Sequence, residues 1–362
     1  MGGRLSLHQT KRYGGIDMMK FVMSIFIVLH HFQQITGIYY LKGINFWGGR
    51  YYWGRLVECF FIISGMMAAY GLTKLQSGET KMVTYFKHKV LRILPLPALS
   101  ILVYEFLTFL YQKNGLTFDW VLPTEPSLKG TVLSVLGLQS WGLWKDPMIN
   151  NPMWYISILL LCQILLMFMG KFLKKPVLFY GLCLFFILPF LVYRLRHLGV
   201  ALPFDHVITG FYSFFYGVIL AGLIRKRKIP NLLGLAGTLV VAAFIVLLEL
   251  GVPFILQYEI VFSIYLVFPG LILFFLSDWV NAFLSGKISE ILGAVSFDIY
   301  VWHIPILFAL YIWDATRDVL MPCLPRRHTV VFVALTVLVA FFSYGVGILI
   351  RKLVKGMNSK QA

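Results

Sequence analysis

Residues 15–36 read Gly15-Ile16-Asp17-Met18-Met19-Lys20-Phe21-Val22-Met23-Ser24-Ile25-Phe26-Ile27-Val28-Leu29-His30-His31-Phe32-Gln33-Gln34-Ile35-Thr36. At 1.5 Å per residue a helix over this stretch is about 33 Å long, enough to cross a hydrocarbon core of roughly 30 Å. Most of it is apolar, yet Asp17, Lys20, His30 and His31 interrupt it. An ionisable side chain at the centre of a membrane helix costs about 2.5–3.5 kcal/mol on insertion scales, and such residues face a protein interior or a pathway. At about 100° per residue, Asp17, Lys20, Ser24, His31 and Gln34 share one face, whereas His30 is turned about a quarter circle from His31. Lys20 and His31 stand eleven positions apart and so point the same way, about 16 Å apart along the axis. Two plain structural readings compete: Lys20 snorkels to the inner surface, and His31 bridges two helices by hydrogen bonds. The alignment of the whole stripe favours function.

The rest of the chain repeats the apolar pattern. Of 362 residues 59% are hydrophobic and 13% charged, against about a quarter charged in a soluble domain. Charges cluster between apolar runs of membrane-spanning length, expected at 16–39, 56–73, 93–112, 152–170, 176–193, 206–224, 231–250, 254–276, 290–312 and 329–350. The expected fold is an all-α integral membrane bundle of about ten transmembrane helices. It divides into an N-terminal segment 1–15, a transmembrane domain 16–350 and a tail 351–362, with no internal repeat of the kind many transporters show. The net charge of +17 raises the question of nucleic acid. Position answers it: with loops assigned alternately, the 32 Lys and Arg divide into 21 on one side and 11 on the other. Excess Lys and Arg marks the cytoplasmic side, so both termini are expected inside and no nucleic-acid partner is implied.

Further polar groups lie at similar depth. Glu58 opens the second span, with Arg55 one turn away as a candidate ion-pair partner; Glu105 lies in the third span. Ser296, Tyr300 and His303 share a face of the ninth, with Asp298 pointing elsewhere. Asp205, His206, Glu249 and Glu259 sit at outer span ends, where solvation is the simpler reading. Cations such as Lys87, Lys89 and Arg92 gather at the inner mouth, while histidines and carboxylates lie deeper, a division suited to phosphates inside and acid–base chemistry within. Cys59, Cys162, Cys183 and Cys323 have neither disulfide-like nor metal-like spacing, so no metal is expected. The loop from Lys113 to Asn151 carries Trp120, Trp141 and Trp144, read as interfacial anchors in preference to a sugar platform, and its apolar 131–138 run can dip into the interface.

Five segments together resemble the membrane-bound acyltransferase 3 family of bacterial surface-glycan O-acyltransferases. They are Lys20 to His31 behind Gly15-Ile16-Asp17; Glu58-Cys59-Phe60-Phe61-Ile62-Ile63-Ser64-Gly65; and the basic run from Lys87 to Pro95. The last two are Asn151-Pro152-Met153-Trp154-Tyr155-Ile156-Ser157 and the segment from Ser296 to Pro305. The resemblance implies a cytoplasmic acyl-CoA donor, usually acetyl-CoA, and a glycan hydroxyl as acceptor outside. It implies His31 and Lys20 as the essential pair, Arg92 as a second donor contact, and a bacterial cytoplasmic membrane as the location. Many relatives carry Asp at position 58, Arg at position 20 and an acid after the Trp154 block. On this reading His31 is a general base or forms an acyl-His intermediate, and Glu58 or another carboxylate orients its ring. Asp17, Glu105, Tyr300 and His303 are further candidates. The rival class is a transporter or flippase of a glycan or lipid precursor, which needs no acyl donor.

Overall fold

The computed structural model describes residues 13–37, 45–48, 51–117, 125–142, 149–195, 205–224, 229–316 and 325–358. Apart from one isolated bridge between Ile229 and Ser277, the regular structure described is helical. Nine helices among these residues are long and apolar enough to cross a membrane. The expected span at 176–193 is also a helix, Pro176–Leu195, whose apolar part Pro176–Val192 is shorter than the rest. This is a polytopic helical membrane protein.

The described helices open with α1 (Gly14–Thr36), α2 (Leu56–Gln76), then α3 (Met82–Ile93) and α4 (Pro95–Lys113), which continue one another across Leu94. Next comes the short α5 (Leu128–Val135). The third span is thus longer than expected at its N-terminal end, because the basic run is itself helical. Pro95 occupies the first turn of α4, where a missing N–H breaks no helix bond. Beyond them run α6 (Trp154–Phe172), α7 (Pro176–Leu195), α8 (Asp205–Ile224) and α9 (Asn231–Glu249). The expected eighth span is broken into α10 (Pro253–Gln257), α11 (Glu259–Phe262), a π turn (Ser263–Val267) and α12 (Phe268–Leu276). Pro269 explains part of the break, since it cannot donate to the carbonyl of Tyr265 four residues earlier; the hydroxyl of Tyr216 donates to that oxygen instead, at 3.2 Å. The short α13 (Asp278–Leu284) leads to α14 (Lys287–Ala315) and α15 (Pro325–Asn358).

Lipid supplies no hydrophobic drive for one helix to pack on another, so close approach depends on small residues. Gly65 of α2 lies against the carbonyl of Phe214 and Gly217 of α8 against that of Ile62; a Cβ at either would collide with backbone. Helices α1 and α14 meet in the same way, with the Asp17 side chain seated on Gly293. Further along both helices His31 meets His303, so the two run parallel.

The loop before α6 folds back into the bundle. Ser127 caps α5 by accepting from the N–H of Gly130 at 3.0 Å, and Gly137 packs against the side chains of Leu94 and Leu160. Ser157 of α6 donates to the carbonyls of Gly137, at 2.8 Å, and Gln139, while the indole of Trp141 donates to the Ser157 carbonyl at 3.3 Å. Trp141 is therefore tied to α6; Trp120 and Trp144 lie outside the described residues. Pro305, inside α14, leaves the carbonyl of Val301 without its helical donor. Ser100 of α4 donates to that oxygen at 3.0 Å, and the buried Asn150 donates to Ser100 at 2.7 Å. The start of α6 is thereby fastened to α14 two residues before His303. Irregular backbone at such depth survives where it is enclosed by protein or lines a cavity.

Candidate active site

A cavity of about 380 Å³ lies where α1, α2, α6, α8 and α14 meet. Three helices begin at its wall: α2 contributes Glu58 from its first turn, α6 its first residue Trp154, and α8 its first two, Asp205 and His206. The C-terminal half of α1 adds His30, His31 and Gln34, and α14 adds Tyr300. The hydroxyl of Tyr300 donates to the carbonyl of Pro152, which holds the entry to α6 against α14.

Two histidines that the sequence places 272 positions apart touch here, with His303 Nε2 3.1 Å from His31 Nδ1. The surrounding carbonyls fix their protons. His303 Nδ1 lies 2.6 Å from the carbonyl of Tyr300, and a carbonyl only accepts, so Nδ1 carries hydrogen. In a neutral ring Nε2 is then the acceptor, and His31 Nδ1–H donates to it. His31 Nδ1 is also 3.1 Å from the carbonyl of Ile27, which again requires a proton on that nitrogen. Both constraints leave the lone pair of His31 on Nε2, in a ring that lines the cavity.

His30 is held differently, although it too reaches the cavity. It is buried, with Nδ1 donating to the carbonyl of Phe46 at 2.6 Å, and a Cβ at Gly54 would meet its Nε2 at 2.9 Å. Its ring makes edge contacts with Trp47 and Tyr52. It fastens the segment between α1 and α2.

The carboxylates are arranged otherwise than the spacing suggested. Arg55 pairs with Glu259 of α11, Nε to Oε2 at 2.9 Å, not with Glu58; the other Glu259 oxygen accepts from Ser263 at 3.0 Å. Glu259 is thus a structural partner at the cavity rim instead of a solvated end. Glu58 is buried and accepts a long hydrogen bond from Tyr212 at 3.5 Å. The groups at Nδ1 of His31 are the Ile27 carbonyl and His303, so the position expected for an orienting carboxylate is held by an imidazole. Asp205 and His206 line the cavity, and the His206 ring lies 4.4 Å from that of Trp154.

The remaining candidates lie away from this wall. Lys20, with 28% of its side chain exposed, pairs with Asp17 at 2.7 Å. Arg92 is exposed on the last turn of α3. Glu105, half-buried on α4, sits beside Thr131 of α5. Among the described residues no group of three or more His, Cys, Asp or Glu is placed to hold a metal. The pairing of His31 with His303 and the entry of Asp205 and His206 into the site were missed by helical spacing, which reports on one helix at a time. The nearest signal was Tyr300 and His303 sharing a face.

Neither a curated protein nor a solved structure matches the chain. A family model described as an acyltransferase domain matches residues 13–350, nearly the whole sequence and every helix that lines the cavity. The chain belongs to the acyltransferase 3 family and is a membrane-embedded acyltransferase.

Proposed function

We propose that the protein transfers an acyl group, acetyl from acetyl-CoA, to a hydroxyl of a cell-surface or lipid-linked glycan, with the donor entering from the cytoplasm of a bacterial cell. The observation that carries this reading is the hydrogen-bonded series Tyr300 carbonyl, His303, His31, which leaves an unprotonated Nε2 at the cavity. That nitrogen takes the proton of the acceptor hydroxyl as its oxygen attacks the thioester carbonyl. The tetrahedral intermediate collapses, the carbon–sulfur bond breaks, and the imidazolium returns its proton to the departing CoA sulfur. While His31 is charged, its Nδ1–H bond to neutral His303 becomes charge-assisted and stronger. His303 thus stabilises the charged stage more than the resting one, as catalysis requires. Glu58 lines the same cavity without touching His31 Nδ1, and we assign it to the acceptor hydroxyls.

The donor's phosphates need cations, and the cavity wall does not supply them. We assign Lys20 and Arg92 to the CoA end, with the pantetheine arm covering the roughly 16 Å from Lys20 to His31 along α1. Initial rates of the reconstituted protein with radiolabelled acetyl-CoA test the reading. Arg92→Ala is expected to raise the Michaelis constant for acetyl-CoA by about tenfold with turnover little changed, because a phosphate contact is common to ground and transition states. Lys20→Arg keeps more activity than Lys20→Met, which also strips buried Asp17 of its cation. If the cations only anchor their helices, abundance falls while the constants of the remaining enzyme do not move. A wild type that puts no label on any glycan hydroxyl rejects the function.

A further inference from the structure

The rest of the cavity lining has a chemistry of its own. The rings of Trp154 and His206 lie 4.4 Å apart with their planes tilted by 37°, and Glu58 and Asp205 belong to the same lining. Gln34 and Asn151 add two amides. Arg55 is the one Lys or Arg among the described lining residues, and its charge is neutralised by Glu259, whose second oxygen is itself hydrogen-bonded to Ser263. The imidazoles of His31 and His303 titrate and carry no fixed charge. The wall therefore offers an aromatic plane, hydroxyl-binding carboxylates and amides, and no uncommitted fixed positive charge.

That combination selects a ligand class. An aromatic ring gives a flat, partly polar platform for the C–H face of a pyranose, and carboxylates and amides bind the hydroxyls at its edge. A phosphate or carboxylate placed here meets the exposed Asp205 carboxylate and no free Lys or Arg, and like charges in contact are strongly discriminated against. Resting on the acyltransfer reading, we infer that Trp154, His206, Glu58 and Asp205 form an acceptor subsite for an uncharged sugar ring, and that it rejects uronate-type and phosphorylated sugars. The volume of about 380 Å³ lies near the lower end of the range for ligand pockets, which suits one ring better than a chain of them. Specificity among glycans is then set in part by charge, at residues distinct from those that move the proton.

Binding can be read without a donor, which separates this inference from the catalytic one. The full-length protein in nanodiscs is titrated with methyl glucopyranoside and with methyl glucuronopyranoside at neutral pH, followed by saturation-transfer NMR. The neutral sugar is expected to bind at least about tenfold more tightly, the size of effect that one unfavourable charge contact produces. Asp205→Asn, a conservative change at the exposed first residue of α8, shrinks that ratio several-fold. Trp154→Leu weakens the neutral sugar about tenfold, the loss of one stacked aromatic. Equal binding of the two sugars, a preference for the uronide, no binding of either, or a ratio untouched by Asp205→Asn overturns the subsite. Sugar binding as described, with no acyl transfer in the rate assay, keeps the subsite and rejects the acyltransfer reading instead.

Discussion

His31→Ala lowers the rate of acyl transfer by about 10²–10⁴-fold, the contribution typical of a general base, and leaves the amount of protein in the membrane close to wild type. The fold survives because His31 is only half-buried and alanine is the best helix former. The change also leaves His303 Nε2 without its donor, a local cost of about 1–3 kcal/mol if no water replaces it. His30→Ala behaves differently. His30 bonds the Phe46 carbonyl and packs under Gly54, so its loss loosens the segment ahead of α2 and lowers the melting temperature in detergent. Turnover of the folded fraction stays within about tenfold, since the proton acceptor is intact. Initial rates and thermal melts of the two purified variants decide the matter. Equal losses of turnover would defeat the assignment of the base, whatever the family.

The second large effect falls on a residue that is not expected to touch the acceptor. His303→Leu removes one of the two acceptors for His31 Nδ1–H, so the Ile27 carbonyl alone holds the ring and its proton, and a rotated ring with the proton on Nε2, where it cannot act as a base, gains population. A loss of about 10²-fold in turnover is expected, with little change in the Michaelis constant for acetyl-CoA, because the bond matters most when His31 is charged. His303→Gln is the informative partner: its amide oxygen can accept from His31 Nδ1–H, and a recovery of about tenfold over the leucine variant is predicted. A merely structural role predicts that rates follow melting temperature across both variants. Glutamine recovering stability without recovering turnover would defeat the tautomer account.

Much of the architecture is legible in the sequence, for a physical reason. A membrane helix must satisfy its own backbone and present about 20 apolar residues, so length and hydropathy mark most spans directly. The stripe of Asp17, Lys20 and His31 is legible in the same way, because one helix fixes which of its residues share a face, and the Asp17–Lys20 ion pair follows from that geometry. What spacing cannot give is which helices adjoin. Whether Arg55 would find Glu58 or Glu259, and whether His31 would find His303, depends on how α1, α2, α11 and α14 pack, and on glycines such as Gly293 that let two of them close up. The break in the eighth span and the anchoring of α6 trace to Pro269 and Pro305, whose orphaned carbonyls recruit Tyr216 and Ser100 from other helices. Those prolines are visible in the chain; their rescuers are not. Asp205 and His206 look like solvated span ends until α8 is seen to begin at the cavity wall.

The central claim is that donor and acceptor reach His31 from opposite faces of the membrane, and sidedness tests it most directly. The protein is reconstituted in sealed vesicles of known orientation, with radiolabelled acetyl-CoA at one face and a neutral glycan acceptor at the other. The account predicts label on the glycan only when acetyl-CoA is supplied at the face bearing Lys20 and Arg92. Equal transfer from acetyl-CoA confined to the opposite face would contradict it.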